Sequence, residues 1–585
     1  MTDMHNVITD NIDVWTSAIK KRNATGRGSN SKIELTGIKK LRELILELAV
    51  RGKLVPQKSS DEPASVLLEK IEKEKAQLFK DKLIKKPKIL ADITPGEICS
   101  ELPVGWEVVR LNDLGEWGAG ATPRRGNSEL YGGDIPWFKS GELSADYIEK
   151  SEETVTELAL KQSSLRYNKV GDVLLAMYGA TIGKTSILKV RATTNQAVCA
   201  CTPFSGFSNV YLLTLLKAYR PRFIGMGAGG AQPNISREKI IATVIALPPL
   251  AEQHRIVAKV DELMALCDAL EQQTEQSLIA HQTLVEVLLA TLTDSTSADD
   301  FQSNWQRISE HFDALFTTEH SIEQLKQIIL QLAVMGKLVP QNPGDEPASK
   351  LLEKIAEEKA QLIKDKKIKK TKALPTITDK EKPFELPKNW EWTRLGDSLN
   401  KITDGTHHSP KNGESGDYLY ISAKNIKNHG VQLSNATFVT KEVHDEIYSR
   451  CDPEFGDVLY IKDGATTGIV TLNNIKEPFS MLSSVALLKS PNTIFNRYLL
   501  ISLRSPFFYK EMRAGMSGVA ITRVTLKKLN IAFFSLPPLA EQHRIVAKVD
   551  ELMALCDQLK TRLADAQTTQ LHLADAVVQN ALSTN

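Results

Sequence analysis

Three stretches of the sequence contain the residue types that phosphate binding or group transfer would need. YGATIGKT, from Tyr178 to Thr185, comes close to a phosphate-binding loop, in which glycine amides and a lysine hold the phosphates. GMGAGG, from Gly225 to Gly230, has the glycine spacing of a dinucleotide-binding turn. DPEF, from Asp452 to Phe455, resembles the acid-proline-aromatic order used in methyl transfer to amino nitrogens. Each would imply chemistry carried by this chain.

None of the three stretches keeps the spacing that its chemistry needs. The first glycine of YGATIGKT falls one place late, and the matching stretch of the second half has Ile469 in place of the lysine. GMGAGG is followed by AQPNIS and not by a helical pattern, and Glu454 breaks the methyl-transfer order. The motifs HExxH, GxSxG and CxxC do not occur. The sequence therefore predicts a non-catalytic chain that binds no cofactor or metal itself.

Length and composition favour a multidomain globular protein. The chain has 585 residues, which is too long for one hydrophobic core, and its 42% hydrophobic and 25% charged residues are ordinary for globular proteins. No apolar run approaches the roughly 18 residues of a membrane span, and the six cysteines form no CxxC pair. We therefore expect a reduced, cytoplasmic location. The net charge of +2 neither requires nor excludes a nucleic-acid partner.

A repeat organises the whole chain. The stretch LPPLAEQHRIVAKVDELMALCD occurs twice without change, at Leu247–Asp268 and at Leu536–Asp557, 289 positions apart. Such a period means two complete domains with their connectors. We predict a helical region and linker at residues 1–100, a globular domain at 101–248, spacer helices and a linker at 249–384, a second globular domain at 385–537, and a last spacer helix at 538–585.

The connectors have helical patterns. Helical parts are predicted at Ile38–Lys85 and at Ile322–Lys369, and the second opens with the capping box SIEQ at Ser321. The last helix lacks a following partner and the first helical part lacks a preceding one, so we expect these two to pack together. The alternative for each spacer is an ordinary amphipathic helix on a globular core. Heptad spacing predicts a coiled-coil seam at Ile256, Val260, Leu263, Cys267, Leu270, Thr274, Ser277, His281, Leu284 and Leu288, and at Ile545, Val549, Leu552, Cys556, Leu559, Leu563, Ala566, Gln570, Leu573 and Val577.

The globular domains predict strands and long loops, because short β-rich runs alternate with glycine, proline and asparagine. The predicted fold class is therefore α+β, with two mixed α/β domains separated by long coiled-coil spacer helices in a pseudo-twofold internal repeat. The helices and linkers of the two copies match closely, whereas the loops of the globular domains diverge. We infer that the helices meet the same partner twice and that the loops contact different targets.

The divergent loops carry side chains that suit DNA. Arginine and lysine suit phosphates and guanine edges, and histidine and threonine suit other base edges. The alternative is that these are solvated loop residues. The candidates are Thr122, Arg124, Arg125, Lys139 and Lys184 in the first domain, and Thr406, His407, His408, Lys411, Lys424 and Arg523 in the second.

These motifs together resemble those of the specificity subunit of a type I restriction–modification system, in the longer type IB subgroup. The resemblance covers nearly the whole chain. It is carried by GATPRRGNSELYGGDIPW from Gly120, DGTHHSP from Asp404, the two GDVL strings with their GAT turns, and the doubled stretch from Leu247 and Leu536. Each domain matches a different variant of the family's recognition domain, which implies two different half-sites.

The resemblance implies that the globular domains are target-recognition domains 1 and 2, which read a bipartite, asymmetric site in double-stranded DNA. It also implies that the spacer helices dock two modification subunits, which recruit restriction subunits. S-adenosylmethionine, ATP and magnesium would belong to those partners. A duplicated adaptor that joins two copies of a protein without binding DNA remains the alternative, and a self-sufficient methyltransferase is a third. The expected docking residues are Leu250, Gln253, His254 and Arg255, and Leu539, Gln542, His543 and Arg544.

Overall fold

The computed structural model describes residues 4–22, 32–85, 89–97, 102–227, 233–296, 298–370, 372–514 and 523–583. Contacts between residues divide the chain into two compact units, which are described separately. The first unit contains Met1–Ser277 and Asp565–Asn585, and the second contains Leu278–Ala564. Both long helices belong partly to each unit, so the unit boundaries differ in kind from those of the five predicted segments. The boundaries of those segments stay a prediction.

The first unit contains the first globular domain. Its helices are α1 Met4–Thr9, α2 Ile12–Ser17, α3 Thr36–Val50, α4 Ala64–Lys80, α5 Glu157–Gln162, α6 Asn209–Ala218, α7 Arg220–Gly227, α8 Arg237–Ile241 and the first part of α9 Leu250–Asp294. Its strands are β1 Lys20–Arg22, β2 Lys32–Glu34, β3 Glu107–Arg110, β4 Gly115–Ala119, β5 Tyr131–Phe138, β6 Tyr147–Ile148, β7 Glu153–Val155, β8 Val173–Ala176, β9 Thr185–Leu188, β10 Thr193–Thr194, β11 Val198–Pro203 and β12 Val244–Leu247.

The second unit has a similar series of elements. Its helices after α9 are α10 Ala298–Glu310, α11 Phe312–Leu315, α12 Glu319–Val334, α13 Ala348–Lys364, α14 Leu395–Ser398, α15 Lys441–Tyr448, α16 Asn496–Arg504, α17 Pro506–Arg513, α18 Leu526–Ile531 and the first part of α19 Leu539–Ser583. Its strands are β13 Glu391–Arg394, β14 Lys401–Asp404, β15 Tyr418–Ile421, β16 Ile426–Lys427, β17 Gly430–Val431, β18 Thr437–Val439, β19 Val458–Ile461, β20 Val470–Leu472, β21 Phe479–Met481, β22 Val485–Lys489 and β23 Phe533–Leu536.

The two globular domains are built on corresponding sheets. The first has a sheet in the order β4-β11-β8-β9-β6, and the second has one in the order β14-β22-β19-β20. A smaller sheet accompanies each, in the orders β10-β5-β7 and β18-β15-β21. The central strands are apolar and fully buried, as expected for sheets covered on both faces. The predicted α+β class with two repeated domains is confirmed.

A separate antiparallel pair joins the start of each domain to its end. Strands β3 and β12 pair in the first domain, and β13 and β23 pair in the second. Because β12 and β23 lead directly into α9 and α19, each pair sets where the long helix leaves its domain. Helix α6 packs on α3, and α16 packs on α12. The globular domain and the helices of its unit therefore share packing surfaces.

A buried carboxyl group beside one of these pairs makes stability depend on pH. Glu511 accepts a hydrogen bond from the amide of Phe533 at 2.9 Å, its other oxygen is unpaired, and burial raises its pKa to about 7. The protonated Glu511 carboxyl makes its full contribution to the free energy of unfolding below the ordinary pKa of 4.5. This contribution is lost as the pH rises through about 7. We expect Glu511→Gln to match the native chain near pH 5 and to exceed its unfolding free energy near pH 8 by up to about 3 kcal/mol.

Urea unfolding of the full-length chain across this pH range measures the effect. Glu446→Gln is the matched control, because Glu446 is exposed on α15 of the same unit. Parallel pH profiles for native chain, variant and control would contradict the assignment of a raised pKa to Glu511.

The predicted helical parts are each two helices. Helices α3 and α4 are separated by residues 51–63, and α12 and α13 by residues 335–347. Gly52 and Gly336 follow the first helix of each pair with positive φ angles of 66° and 72°, a conformation that ends a helix at low cost for glycine. The sequence also marks this break, because Gly52, Pro56 and Pro63 in the first copy interrupt a helical pattern.

The predicted capping box at Ser321 is wrong by one turn. Helix α12 begins at Glu319, and Thr318 is its N-terminal cap. The hydroxyl of Thr318 accepts a hydrogen bond from the amide of Ser321 at 3.1 Å, and the Ser321 hydroxyl lies 3.2 Å from the Thr318 amide. Ser321 therefore occupies the N3 position of the capping box and not the N-cap position.

The spacer helices α9 and α19 each span 45 residues. The predicted seam is correct in their first halves, where Ile256, Val260, Leu263 and Cys267 are buried. It is wrong beyond Thr274, because Ser277 is exposed and Leu284 is 50% exposed. The buried positions there are Val285, Leu289 and Leu292, and in α19 they are Ala574 and Ala581, whereas Ala566 and Leu573 are exposed.

The shift of the buried positions has a geometric cause. An α-helix has 3.6 residues per turn, so a strict 3.5-residue repeat drifts around its surface unless the helices supercoil. In both helices the buried positions move by one residue near the boundary between the two units, at Ser277 in α9 and at Ala564 in α19. Each long helix therefore has one packing face per unit.

The expected packing of the last helix on the first helical part is confirmed within the first unit. Lys40 on α3 pairs with Asp575 on α19 at 2.6 Å, and the Lys53 ammonium donates to the carbonyl of Leu582 at 3.1 Å. The second unit has the same contact, because Lys337 donates to the carbonyl of Thr293 at 3.1 Å. In the first unit, α3 and α19 lie at opposite ends of the sequence and meet through non-covalent contacts. In the second unit, the corresponding contact joins segments that follow one another in the sequence.

Within the part of the chain that the structure covers, no helix combines the length and the apolar character that crossing a membrane requires.

Candidate nucleic-acid interface

Backbone hydrogen bonds bring loops of the first domain together at the ends of β4, β5, β8 and β10. The amide of Ala121 donates to the carbonyl of Thr194 at 3.0 Å, and the amide of Met177 donates to that of Ala197 at 2.8 Å. The amide of Asn195 donates to Phe138 at 3.0 Å, which adds the loop after β5. The predicted residues of this domain, Thr122, Arg124, Arg125, Lys139 and Lys184, all lie on or next to these loops.

The second domain joins its loops in the same way. The amide of Thr406 donates to the carbonyl of Met481 at 2.9 Å, and that of Lys462 donates to Ser484 at 2.9 Å. The amide of Val524 donates to Lys462 at 2.7 Å, which places Arg523 at this edge. The hydroxyl of Ser484 accepts from the amide of Ala423, next to Lys424. The structure thus groups Thr406, His407, His408, Lys424 and Arg523, while Lys411 is exposed farther along the first loop.

The first loop of each domain passes very close to a neighbouring carbonyl group. A Cβ atom on Gly120 would overlap the carbonyl oxygen of Thr194, and one on Gly405 would overlap that of Met481. Thr194 and Met481 occupy corresponding positions, at the ends of β10 and β21. Only glycine fits at either place. The two domains therefore share one loop framework although the loop sequences differ.

Two basic candidates of the first domain are already paired. Arg125 forms an ion pair with Glu153, and its guanidinium lies 4.9 Å from the ring centres of Tyr131 and Trp137. Lys139 pairs with Glu152 at 2.8 Å and with Glu153 at 3.1 Å. Hydrogen bonds to these carboxylates raise the pKa of both cations and lower that of Glu153. A phosphate would have to displace a carboxylate to reach either cation.

The other basic candidates differ in how they are engaged. Arg124, Lys411 and Lys424 are exposed, Lys184 is half-buried, and none of these four has an ion-pair partner among the residues that the structure describes. Their charge is therefore available to phosphates without the loss of another contact. Arg523, in contrast, lies 3.3 Å from Asp463.

The polar candidates are held by local hydrogen bonds. The Thr122 hydroxyl bonds the exposed side chain of Gln196. The Thr406 hydroxyl donates to the carbonyl of His408 at 3.0 Å. The imidazole of His407 accepts from Arg450 Nη2 at 2.9 Å. These contacts present Gln196 and His407 at the loop surface, and both are residue types that read base edges.

Sequence reasoning missed Gln196, Asn195 and Arg450. Gln196 and Asn195 lie 74 and 73 positions after Thr122 in the chain, and Arg450 lies 43 positions after His407. The pairing of β11 with β4 brings Asn195 and Gln196 back to the first loop, and the ion pair with Asp404 at the end of β14 brings Arg450 there. The signal that could have found Asn195 and Gln196 is their place just before a buried strand, in TTNQAV.

The described residues of the two glycine-rich stretches do not form the folds of the sites that they resemble. Between β8 and β9, residues 177–184 contain one short turn of 3-10 helix at Gly179–Thr181 and no helix that could bind a phosphate at its N-terminus. In GMGAGG, Gly225–Gly227 ends α7, and residues 228–230 lie outside the described part of the chain. Among the described residues, no group of three or more histidine, cysteine or carboxylate side chains could hold a metal ion.

The first turn of α9 attaches this helix to its domain. Glu252 is 1% exposed and accepts a hydrogen bond from the indole of Trp106 at 3.1 Å. Burial raises the pKa of the Glu252 carboxyl. Arg255 pairs with Asp61 in the loop before α4. Gln253 is fully buried and donates to the carbonyl of Pro248.

The second copy repeats the attachment. Glu541 accepts from the indole of Trp390 at 3.0 Å, and Arg544 pairs with Asp345 at 2.6 Å. Gln542 is fully buried, as Gln253 is. The duplicated stretch is therefore explained in part by identical intramolecular contacts. This corrects the prediction that Gln253 and Gln542 offer a docking surface, because their amide groups bond the chain's own backbone.

The remaining docking candidates differ in accessibility. His254 and His543 are exposed, and Leu250 and Leu539 are half-buried at the first turn of each long helix. Arg255 and Arg544 are held in the ion pairs described above. The docking role of these six residues stays a prediction.

Two mixed α/β domains with a shared loop framework, unlike loop side chains and a common attachment to a long helix define a class of paired recognition proteins. The family model for the "Type I restriction modification DNA specificity domain" matches residues 103–280 and again residues 387–566. The chain belongs to this family.

Two relatives from Escherichia coli match along the whole chain. The type I restriction enzyme EcoAI specificity subunit is 40% identical over 99% of both chains, and the EcoEI specificity subunit is 39% identical over 99% of both chains. A crystal structure of the HsdS subunit from Thermoanaerobacter tengcongensis is 18% identical and covers 83% of this chain and 98% of its own, with a TM-score of 0.39. The family assignment rests on the family model and the two relatives.

Proposed function

We propose that this chain is the DNA-specificity subunit of a type I restriction–modification complex and reads a bipartite, asymmetric site. The observation that carries the proposal is the common loop framework entered at Gly120 and Gly405, which presents different side chains in the two domains. A shared framework suits a shared geometry on DNA, and different side chains suit different bases. The chain itself is the non-catalytic component of the complex.

The proposed base contacts come from the polar loop residues and the phosphate contacts from the unpaired cations. Thr122 and Gln196 face one half-site, and His407 faces the other. Arg124, Lys184, Lys411 and Lys424 contribute phosphate contacts that fix the position of the protein without reading sequence. Arg125, Lys139 and Arg523 contribute only after their carboxylate partners are displaced. Thr406 and His408 shape the first loop of the second domain.

The proposed partners are double-stranded DNA, two modification subunits and, through them, restriction subunits in the cytoplasm. The exposed side chains of His254 and His543, at the start of α9 and α19, support two equivalent docking sites for the modification subunit. S-adenosylmethionine, ATP and magnesium are assigned to those partners. The sequence of this chain contains no intact motif that would bind S-adenosylmethionine or ATP.

Selection from a library of random duplexes tests the proposal. The full-length chain is incubated with the library, alone and with its modification subunit, and the bound duplexes are sequenced. We expect two unlike short sequences separated by an unread gap of constant length. Recovery of unselected duplexes with the modification subunit present would contradict DNA reading and favour the adaptor alternative.

The length of the spacer helix is expected to set the unread gap. An insertion of four residues after Thr274 adds about 6 Å to α9 and rotates the residues beyond it by about 40°. Thr274 is half-buried just before the shift of the buried positions, so the insertion disturbs few apolar contacts. We expect the variant to keep both half-sites and to prefer a gap longer by one or two base pairs, or to lose activity.

Methylation of duplexes that differ only in gap length measures this preference in the complete complex. A matching insertion after Leu563 in α19, which also runs through both units, is expected to shift the gap preference in the same direction. An active Thr274 variant that keeps the native gap preference would show that α9 does not set the spacing.

A further inference from the structure

A buried ion cluster lies under the first loop of the second domain. Asp404, at the end of β14, is 1% exposed, and its carboxylate accepts a hydrogen bond from Arg450 Nη2. The other carboxylate oxygen lies 3.4 Å from the ammonium of Lys462, which is itself 2% exposed. Lys462 also pairs with Asp463 at 3.0 Å. A buried carboxylate between two cations holds Arg450 in one orientation, since moving the guanidinium would leave the charge of Asp404 only partly compensated.

Arg450 also determines the tautomer of His407. Its Nη2 atom lies 2.9 Å from Nε2 of His407 in hydrogen-bonding geometry. A guanidinium group has only donors, so Nε2 must be the acceptor and the ring proton must be on Nδ1. The carboxylate of Asp404 is 3.4 Å from the same Nε2, which is too long to compete. Nδ1 has no hydrogen-bonding partner in the described part of the chain, and the side chain is 46% exposed.

We propose that Arg450 is a positioning residue that makes His407 a hydrogen-bond donor through Nδ1, so that the second domain selects a base edge with an acceptor. The acceptors available in the major groove are purine N7, guanine O6 and thymine O4, whereas cytosine N4 and adenine N6 are donors. This inference rests on the proposed DNA-reading function. It adds the hydrogen-bonding character of one reading residue and names the side chain that sets it.

The first domain lacks this arrangement. In the common framework Ala119 stands at the position of Asp404, Leu165 at that of Arg450 and Met177 at that of Lys462. Thr122 stands at the position of His407, and its hydroxyl is both donor and acceptor. The donor character is thus specific to the second domain, in agreement with two different half-sites.

Nitrogen-15 spectra of the histidine-labelled full-length chain test the tautomer without DNA. The signals of His407 are assigned by their absence in His407→Ala. We expect Nδ1 to carry the proton in the native chain and the tautomer to change in Arg450→Leu, which removes the donor and leaves the exposed ring in place. A native Nε2–H tautomer, or an unchanged tautomer in Arg450→Leu, would overturn the proposal.

Binding to modified duplexes tests the reading role. The complex of full-length chain and modification subunit is titrated with its selected site, in which 7-deazapurines, 2-aminopurine or a thymine analogue without O4 remove one acceptor at a time. We expect one position at which removal weakens binding of the native chain about tenfold, and at which His407→Ala and Arg450→Leu show less than a twofold effect. Discrimination by the first domain should be unchanged in both variants.

The outcomes separate this inference from the proposed function. If the native complex selects a bipartite site but His407→Ala keeps every acceptor penalty, only the role of His407 is wrong. If Arg450→Leu keeps the native penalty while His407→Ala loses it, His407 reads the base without positioning by Arg450. If the native complex selects no sequence, the proposed function fails, whatever the tautomer.

Discussion

Gly405→Ala is expected to abolish reading of one half-site and to leave the other intact. The added Cβ would overlap the carbonyl oxygen of Met481, a backbone atom that cannot move without shifting β21. The first loop, with Thr406 and His407, would therefore leave its place. We expect discrimination against mismatches in the half-site of the second domain to fall at least about 100-fold, because each mismatched pair normally costs about 1–3 kcal/mol.

Gly120→Ala provides the mirror experiment, because its Cβ would overlap the carbonyl oxygen of Thr194 in the first domain. Gly126→Ala and Gly413→Ala are controls, since a Cβ at either place meets no atom closer than 3.8 Å. Binding of duplexes mutated in one half at a time measures all four variants in the presence of the modification subunit. Loss of both halves in either overlapping variant would mean that the domains do not read independently.

Trp390→Ala is expected to have the largest effect on stability. Trp390 is 4% exposed, and its indole donates to the buried Glu541 carboxylate. Truncation of a buried tryptophan costs about 3–5 kcal/mol, and here it also removes a hydrogen bond from a buried carboxylate. Trp390→Phe keeps most of the ring volume and loses only the donor, so we expect about 1–3 kcal/mol for that variant.

Hydrogen exchange of the full-length chain locates the effect. We expect faster exchange of the β13 and β23 amides in Trp390→Ala, with β3 and β12 unchanged, and the reverse pattern in Trp106→Ala. Val104→Ala is the control for the first unit, because Val104 is 86% exposed and lies just before β3. Equal acceleration in both units after a single substitution would contradict separate attachment of each domain to its long helix.

The parts of the fold that depend on local periodicity could be predicted from the sequence. Ile256, Val260, Leu263 and Cys267 follow the heptad pattern and are buried. The same pattern fails at Leu284, because the packing partner of α9 changes between the two units and a helix of 3.6 residues per turn presents a different face there. Periodicity within one helix contains no information about that change.

Residues of the candidate site could be predicted from the sequence only where they lie on the same divergent loop. Thr122, Arg124, His407 and His408 were found because their loop differs between the copies. Gln196 and Arg450 were not found, because tertiary contacts and not sequence proximity bring them to that loop. Gln253 and Gln542 were misassigned for a related reason: an identical repeat is expected whether it contacts a partner or the chain itself, and their burial decides for the chain itself.

Mapping of the methylated bases is the most direct test of paired reading by this chain. Cells would carry the complete system with either the native chain or a chimera in which residues 102–247 are replaced by the corresponding block of the EcoAI specificity subunit. We expect the chimera to change one half of the methylated site and to keep the other half and the gap. A change in both halves, or in neither, would contradict two independent reading domains on a common framework.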